Sequence, residues 1–577
     1  MTARRTAIAC GLSLGALTLL LEAASQGRAQ DAAAPLVLAK VQETDTETFT
    51  TAGTCALCHA QSERAKAMRD AKGRGIAPYD LWQGTMMANS ARDPFWRAVV
   101  SAEVAATPAA KQQIEAKCLR CHAPMASTEF KKLGADMELE RLYRENAVAQ
   151  LGLDGVSCTV CHQVQDKGLG QPESYSGNYS IGDGRLIYGP HKDPFFMPMR
   201  RFTGFTATEG QHVRRAALCA TCHTLFTDSL DAAGKPTGQR LPEQTPYLEW
   251  RNSVFNDEGG ERGMACQGCH VPVRDQDGQP IVTRIAHAPP GGDFRIDDRQ
   301  PVGRHVFVGG NSLVPAILRD HRDELNPRAS DEALSATAQA AREQLERRTA
   351  KVELGKVERA ATGLKLAVSV SSFTGHKFPT GHPSRRAWLE LVVEDAAGKV
   401  LFASGAHDQT GRLLGADGRP LPAELAGGPV HAHRQVVQRA DQVVVYEAVM
   451  ADAAGKPTYL LMRGGSYLKD SRLLPRGWRK DGPDAATTAP QGLGEDPDFA
   501  GGGDQVRYEV PLPESATGPL QVRVRLLYQV LGARYADELF RHDTREVRAF
   551  RRYWEQADRR PVVVAEATAK LAAAPAK

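Results

Sequence analysis

The sequence predicts an α+β protein in two parts: a mostly helical and irregular segment over residues 35–325, followed by an antiparallel β-sandwich over 355–565. The length of 577 residues is too great for one compact core, so several domains are expected. Cysteine motifs recur about every fifty residues in the first part, between Gly- and Pro-rich loops such as Gly168–Pro190. After residue 353 apolar and polar residues alternate, which is typical of half-buried strands.

Composition narrows the classes of function. The chain is 42% hydrophobic and 24% charged, which is ordinary for a folded protein. The net charge of +4 is spread without a basic stripe, so we expect no nucleic-acid partner. After the first 30 residues there is no apolar run long enough to span a bilayer, which excludes a multi-pass membrane protein.

Residues 1–29 resemble a signal peptide. Arg4 and Arg5 precede an apolar segment over Ala7–Leu21, and small residues follow up to Ala29. This layout predicts export through a Sec-type pathway and a periplasmic, cell-surface or extracellular location. An uncleaved signal acting as a membrane anchor is the alternative.

Ten of the eleven cysteines fall in one repeated pattern, C-x-x-C-H. This is the attachment signature of c-type haem: two thiols add across the two vinyl groups of one porphyrin, and the adjacent His becomes the proximal iron ligand. The cysteines are Cys55, Cys58, Cys118, Cys121, Cys158, Cys161, Cys219, Cys222, Cys266 and Cys269, and the adjacent histidines are His59, His122, His162, His223 and His270. The pattern predicts five covalent haem c groups, whose porphyrins supply the apolar interior of residues 35–325.

Three other chemistries use paired cysteines. Zinc sites, redox-active thiol pairs and disulfides all occur with C-x-x-C spacing. None of them explains a histidine directly after every second cysteine. Five thioether-bound haems would use all ten cysteines of the mature chain and leave none for a disulfide.

Five irons need five further axial ligands or keep open positions. Eleven histidines lie outside the motifs, which is enough for bis-His ligation throughout. The candidates with the most suggestive surroundings are His191, His212, His305 and His376, and Met87 is the candidate thioether ligand. His287 is a weaker candidate, as are Met125, Met197 and Met199. Five other histidines are interpreted as polar surface residues: His382, His407, His431, His433 and His542.

Residues 328–352 are predicted to form a connecting helix, with Ser330 as its N-cap and Asp331 and Glu332 in its first turn. The predicted strands of the sandwich are 364–370, 387–393, 442–447, 508–512 and 522–526. Residues 566–577, rich in Ala, Lys and Pro, are predicted to be a disordered tail.

With these residues in hand, the chain resembles the bacterial multihaem cytochromes c, particularly the cytochrome c-554-like group. The resemblance rests on the five motifs and on flanking segments, which are Trp82–Ser90, Asp154–His162, Thr245–Trp250, His305–Asn311 and His376–Trp388. It implies bis-His ligation of most haems, close stacking of the porphyrins, and ligation of one haem by His376 from the sandwich. Many multihaem relatives carry His where this chain has Met86 and Met87.

The leading functional hypothesis is an electron-transfer protein that relays electrons between other redox proteins, with no catalytic residue assigned. Its donor and acceptor are unspecified, and membrane contact would come through a partner or an uncleaved signal. One alternative is a multihaem oxidoreductase in which one open haem acts on a small nitrogen or sulfur oxyanion. Another is a subunit of an extracellular haem filament.

Overall fold

The computed structural model describes residues 36–144, 146–256, 263–360 and 362–574. The predicted signal peptide over residues 1–29 lies outside the described residues. The mixed α+β class is confirmed, since helices dominate the N-terminal half and antiparallel sheets the C-terminal half. Among the described residues, no helix is both long and apolar enough to cross a membrane.

The N-terminal half consists of short helices joined by turns and two small sheets. Its helices are α1 (Ala52–His59), α2 (Pro78–Gln83), α3 (Pro94–Ala106), α4 (Lys111–His122), α5 (Pro124–Lys132), α6 (Ala147–Leu153), α7 (Cys158–Cys161), α8 (Phe196–Thr203), α9 (Ala216–Ala220), α10 (Pro246–Arg251), α11 (Cys266–His270), α12 (Leu313–Asp320) and α13 (Arg322–Leu325). Its strands are β1 (Leu186–Gly189), paired in parallel with β2 (Thr206–Glu209), and β3 (Leu225–Leu230), paired antiparallel with β4 (Pro236–Gln244).

Helix α14 (Asp331–Arg348) leads into the second half. The Ser330 side chain accepts a hydrogen bond from the Ala333 N–H, and the first turn carries Asp331 and Glu332. Both features stabilise a helix start, so the predicted connecting helix over 328–352 is present with slightly shorter bounds.

Two sheets make up most of the second half. The strands are β5 (Ala350–Leu354), β6 (Glu358–Ala360), β7 (Gly363–Ser372), β8 (Arg386–Asp395), β9 (Val400–Ser404), β10 (Val436–Val437), β11 (Val445–Ala451), β12 (Pro457–Thr458), β13 (Ser466–Asp470), β14 (Gly503–Pro511), β15 (Leu520–Gln529) and β16 (Val562–Leu571). Within the described residues one sheet runs β10-β14-β7-β5 with β6 also on β7. The other runs β12-β11-β8-β15-β16, with β13 on β11 and β9 on β8.

Alternate residues of both sheets meet in one core. Val368 of β7 pairs with Val506 of β14, and Leu391 of β8 pairs with Val524 of β15. All four side chains are fully buried in the same cluster. The neighbours of Val368, Val506 and Val524 on their strands are more exposed, whereas β8 is buried on both faces around Leu391. The alternation seen in the sequence therefore separates a buried face from a solvent-facing one.

The last helices leave the sheets and return to the N-terminal half. Helices α16 (Ala533–Leu539) and α17 (Arg545–Gln556) follow β15 and lie inside the stretch that was predicted as sandwich. A single helical turn, α15 (Ala485–Thr488), lies earlier, in the long loop before β14. Phe550 and Tyr553 of α17 belong to a core that also contains Leu36, Ala98 and Leu318. Both ends of the chain thus contribute to one helical core.

The predicted tail over 566–577 is corrected in part. Residues up to Leu571 continue strand β16, whose Ala565, Ala567 and Ala569 pair with β15. Alanine and lysine suggested disorder by composition, but nine residue pairs between β15 and β16 order this segment. Residues 575–577 lie outside the described part of the chain.

Candidate haem-attachment sites

Each C-x-x-C-H motif lies at the end of a short helix. The motifs belong to helices α1, α4, α7, α9 and α11. In four of them the His is the last helical residue or the next one, whereas α9 ends at Ala220, three residues before His223. On a helix, residues three and four apart lie on the same face, so both thiols and the imidazole of a motif point to one side. The ten thiols form no disulfide within the described residues, and each retains accessible surface.

Two motif imidazoles, those of His122 and His223, retain accessible surface although they lie deep in the protein. His223 has an exposed side chain, yet burial is the largest cause of its lowered pKa, followed by the charges of Arg385 and His376. Burial likewise lowers the pKa of His122 to about 4, although its ring is only half-buried. The two observations agree if the exposed ring surfaces line cavities enclosed by protein, as attached porphyrins require.

Four motif histidines present the same nitrogen to the backbone. Their Nδ1 atoms lie at hydrogen-bond distance from carbonyl oxygens: His59 from Ile285 (2.9 Å), His122 from Ser90 (3.1 Å), His162 from Tyr188 (2.7 Å) and His270 from Val308 (2.7 Å). A carbonyl only accepts, so Nδ1 carries the proton and donates it. The lone pair of Nε2 is then free for a metal, which is how a protein orients a histidine ligand.

Two of these imidazoles face a second imidazole. The rings of His162 and His305 have centroids 6.2 Å apart and planes 27° apart. Those of His270 and His376 are 6.4 Å apart at 18°. Such distances are too long for ring stacking, but two imidazoles bound to one metal through bonds of about 2.0–2.1 Å would have centroids about 6.3 Å apart. Both pairs therefore have the spacing that a bis-His iron needs.

The facing histidines also have the tautomer of a ligand. Nδ1 of His305 lies 3.1 Å from the Gly303 carbonyl oxygen, and Nδ1 of His376 lies 3.0 Å from that of Lys377. Each Nε2 is again left for a metal. The residues present thus fit haem iron at the third and fifth motifs.

Two other predicted ligands are placed differently. Nε2 of His212 lies 2.8 Å from the Val164 carbonyl oxygen, so the nitrogen that would bind iron is engaged with the backbone. His191 is half-buried, and its pKa is lowered by burial and by the charges of Arg299 and Arg214. Neither ring faces a motif histidine in the described structure.

The weaker candidates for iron ligation either make hydrogen bonds within the protein or are exposed to solvent. Both ring nitrogens of His287 lie near carbonyl oxygens, of Ala288 and Ala60. Among the methionines, the Met125 thioether accepts a hydrogen bond from the Thr159 hydroxyl, and Met197 is 58% exposed.

Met87 lies between the first and third motifs. It packs against a small cluster with Ala52 of α1, Trp82 and Cys158. Its side chain is half-buried, unlike the fully buried Met125. This position is compatible with a thioether ligand to the haem of the first motif, where no second imidazole faces His59 among the described rings.

The sequence interpretation of His382 as a polar surface residue is wrong. Its ring makes edge-on contacts with Phe95 (5.4 Å) and Tyr535 (5.5 Å), and burial lowers its pKa to about 3. The sequence does hold a signal for it, since Thr374-Gly375-His376 is repeated at Thr380-Gly381-His382. One loop of the second half thus brings two imidazoles toward the motifs.

Cysteines of different motifs touch. A hydrogen bond with the Cys158 side chain, together with burial, raises the pKa of the Cys55 thiol well above its usual range. A hydrogen bond between Cys121 and Cys222 raises the pKa of the Cys121 thiol in the same way. The thiols that would attach the first and third haems are therefore neighbours, as are those that would attach the second and fourth.

Comparison with known proteins adds one similarity. No protein family matches the sequence, and no curated protein matches it. Among solved structures, the chain is similar to a penta-heme cytochrome c552 from Thermochromatium tepidum, with 18% identity and a TM-score of 0.48. The match covers 90% of this chain and 98% of that chain.

Proposed function

We propose that this chain is an exported pentahaem c-type cytochrome that relays electrons between redox proteins, with a haem-packed N-terminal domain and an antiparallel β-sandwich. The observation that carries the proposal is the pair of facing imidazoles at metal spacing, His162 with His305 and His270 with His376. One member of each pair belongs to a C-x-x-C-H motif. Haem iron in such sites supplies reversible one-electron transfer without binding a substrate.

The chain's own residues have three tasks in this proposal. The ten motif cysteines attach the porphyrins, and the motif histidines ligate from one side, held by hydrogen bonds to backbone carbonyls. His305 and His376 ligate from the other side at the third and fifth motifs. His212 is left out of the ligand set because its Nε2 donates to Val164.

The contacts between motifs support a connected relay. The first and third motifs touch through Cys55 and Cys158, and the second and fourth through Cys121 and Cys222. The negative charge of Cys222 also raises the pKa of Cys161, after the larger effect of burial, so the third and fourth motifs are neighbours. The fifth site lies beside the fourth, since the charge of His223 lowers the pKa of His270 after the larger effects of burial and of His376. All five sites then form one branched array with the fourth at its centre.

The test is spectroscopy of the purified ferric holoprotein. Haem is counted by pyridine haemochrome and by the mass of the intact chain, and ligands are identified by low-temperature EPR and near-infrared magnetic circular dichroism. We expect five haems, with bis-His signals that shrink by one haem in His305→Ala and again by one in His376→Ala. His407→Ala is the matched control, because that half-buried imidazole contacts Trp388 of the sandwich instead. Fewer than five haems, or ligand signals that both variants leave unchanged, would refute the proposal.

One observation favours an oxidoreductase as a second candidate. Among the described rings, no imidazole faces His122 or His223 at metal spacing. An iron with one protein ligand can bind a small exogenous molecule. A ferric high-spin signal that shifts on addition of nitrite or hydroxylamine, with turnover, would support this candidate over a pure carrier.

A further inference from the structure

The second motif combines a proximal histidine with an unusual neighbour. His122 donates from Nδ1 to the Ser90 carbonyl oxygen, and Trp96 lies flat on its ring at 4.4 Å and 6°. Phe95, the residue before Trp96, contacts the ring of His382. Consecutive residues of helix α3 thus touch both imidazoles, and the charge of His122 contributes to lowering the pKa of His382.

His382 has the opposite tautomer to the facing histidines. The backbone N–H of Ser384 points at its Nδ1 over 3.2 Å. A backbone amide can only donate, so Nδ1 holds the lone pair and the proton resides on Nε2. His305 and His376 carry theirs on Nδ1, where a carbonyl accepts it. His382 is therefore arranged to donate a hydrogen bond from Nε2, whereas the other two are arranged to bind metal.

A fixed positive charge lies beside this donor. Arg385 donates through Nη1 to the Thr380 carbonyl oxygen at 2.9 Å. After the larger effect of burial, its charge lowers the pKa of both His382 and His223, so the guanidinium lies near both imidazoles. The Thr380 hydroxyl in the same loop is buried without a partner.

We propose that the second motif's haem keeps an open position that binds a small anion, with Nε2–H of His382 as the hydrogen-bond donor to the bound anion. The ligand class is a small anion that has one atom to bind ferric iron and a second lone pair to accept a hydrogen bond, such as cyanide or nitrite. Arg385 adds an electrostatic attraction for negative charge. Edge contacts with Phe95 and Tyr535 hold the His382 ring in place. This inference rests on the proposed function, because it requires the haem to be attached.

The experiment measures cyanide binding to the ferric full-length holoprotein by stopped-flow absorbance, with EPR of the same samples. His382→Leu removes the donor, and His382→Gln keeps an N–H donor of similar reach. Since hydrogen bonds to charged groups are strong, we expect one phase of cyanide dissociation to become about tenfold faster or more in His382→Leu. His382→Gln should restore most of the slow dissociation, and His407→Leu should leave it unchanged.

Two results would overturn the inference. If His382→Leu creates a high-spin haem that the parent protein lacks, His382 is an iron ligand and not a donor. If cyanide dissociates equally fast from the parent and from His382→Leu, the imidazole does not contact the bound anion. Both results presuppose five attached haems, so they differ from failure of the proposed function, which would appear as a reduced haem count in the parent protein. A haem count equal to that of the parent shows that each variant has folded and matured.

Discussion

Glu249 accepts a hydrogen bond from the backbone N–H of Lys377 over 2.8 Å. Glu249 belongs to α10 in the N-terminal half, and Lys377 follows His376 in the second half. The carboxylate is fully buried and also lies 3.8 Å from the guanidinium of Arg472. This contact between the two halves therefore sets the position of the backbone that carries His376 toward His270.

Replacing Glu249 is expected to affect both stability and one haem. Glu249→Ala leaves the buried Lys377 N–H without its acceptor, which typically costs about 1–3 kcal/mol, while Arg472 keeps its pairing with Asp470. The fifth motif should also lose part of its bis-His signal, because His376 is no longer held. Thermal unfolding and near-infrared magnetic circular dichroism measure the two effects. Glu353→Ala, an exposed partner of Lys351, is the control and should change neither. A destabilised Glu249→Ala with an unaltered fifth haem would show that His376 is positioned by other contacts.

Met87 provides a test of the first motif. If its thioether ligates iron there, Met87→Ala removes a His/Met signature, and Met87→His replaces it with a bis-His one of lower midpoint potential. Redox titration and near-infrared magnetic circular dichroism follow the change. Met86→Leu is the matched control, since Met86 packs against the helical core instead. Identical spectra for Met87→Ala and the parent protein would rule out Met87 as a ligand.

Asp504 should make stability depend on pH. Burial raises the pKa of its carboxyl to about 6, which the Tyr446 hydroxyl, donating to Oδ2 at 2.7 Å, only partly offsets. The other oxygen, Oδ1, is buried without a partner. The folded state thus holds a proton that the unfolded chain releases near pH 4, so stability falls as pH rises from about 4 to about 6.

Asp504→Asn keeps the shape and removes the titration. A shift of this size corresponds to about 3 kcal/mol between its two limits, so the variant should be more stable than the parent at pH 7 and lose that part of the pH dependence. Melting temperatures between pH 3.5 and 7.5 provide the measurement. Gln505→Ala, at the neighbouring exposed position, should leave the profile as it is. Parallel profiles for Asp504→Asn and the parent would contradict the prediction.

Leu391 tests the shared core of the two sheets. It is fully buried on β8, between β9 and β15. Leu391→Ala should destabilise the protein by about 2–5 kcal/mol, through lost transfer energy and a residual cavity. Val400→Ala, on a side chain that is 52% exposed, should cost much less. Denaturant unfolding compares the two, and equal losses would argue against a common core.

Local patterns predicted the features that depend on neighbours in sequence. The C-x-x-C-H spacing is explained by the geometry of one helical turn, and the alternation of Leu364, Leu366 and Val368 is explained by the geometry of one strand. Ser330 predicted the start of α14 because an N-cap bonds to a residue only three positions away. Such features follow from backbone geometry, without knowledge of the rest of the fold.

Features that depend on distant residues were harder to predict. His212 looked like a ligand until the Val164 carbonyl oxygen took its Nε2. His382 looked like a surface residue, but Phe95 and Tyr535 enclose it from two other parts of the chain. His305 and His376 were predicted as ligands from their flanking loops, whereas which motif each one faces became visible only in the folded chain. The choice between ligand and donor depends on a single hydrogen bond to the ring, which composition does not reveal.

The return of α17 to the helical core determines the order in which the molecule can be completed. Leu36 near the start of the chain and Phe550 near its end share that core, so this core cannot be completed before the last helix has left the ribosome. Assembly of this protein ends at its C-terminus: a chain cut before Ala533 would carry its cysteines intact but leave α3 uncovered, and the loss should appear as haem-loaded protein that proteases degrade.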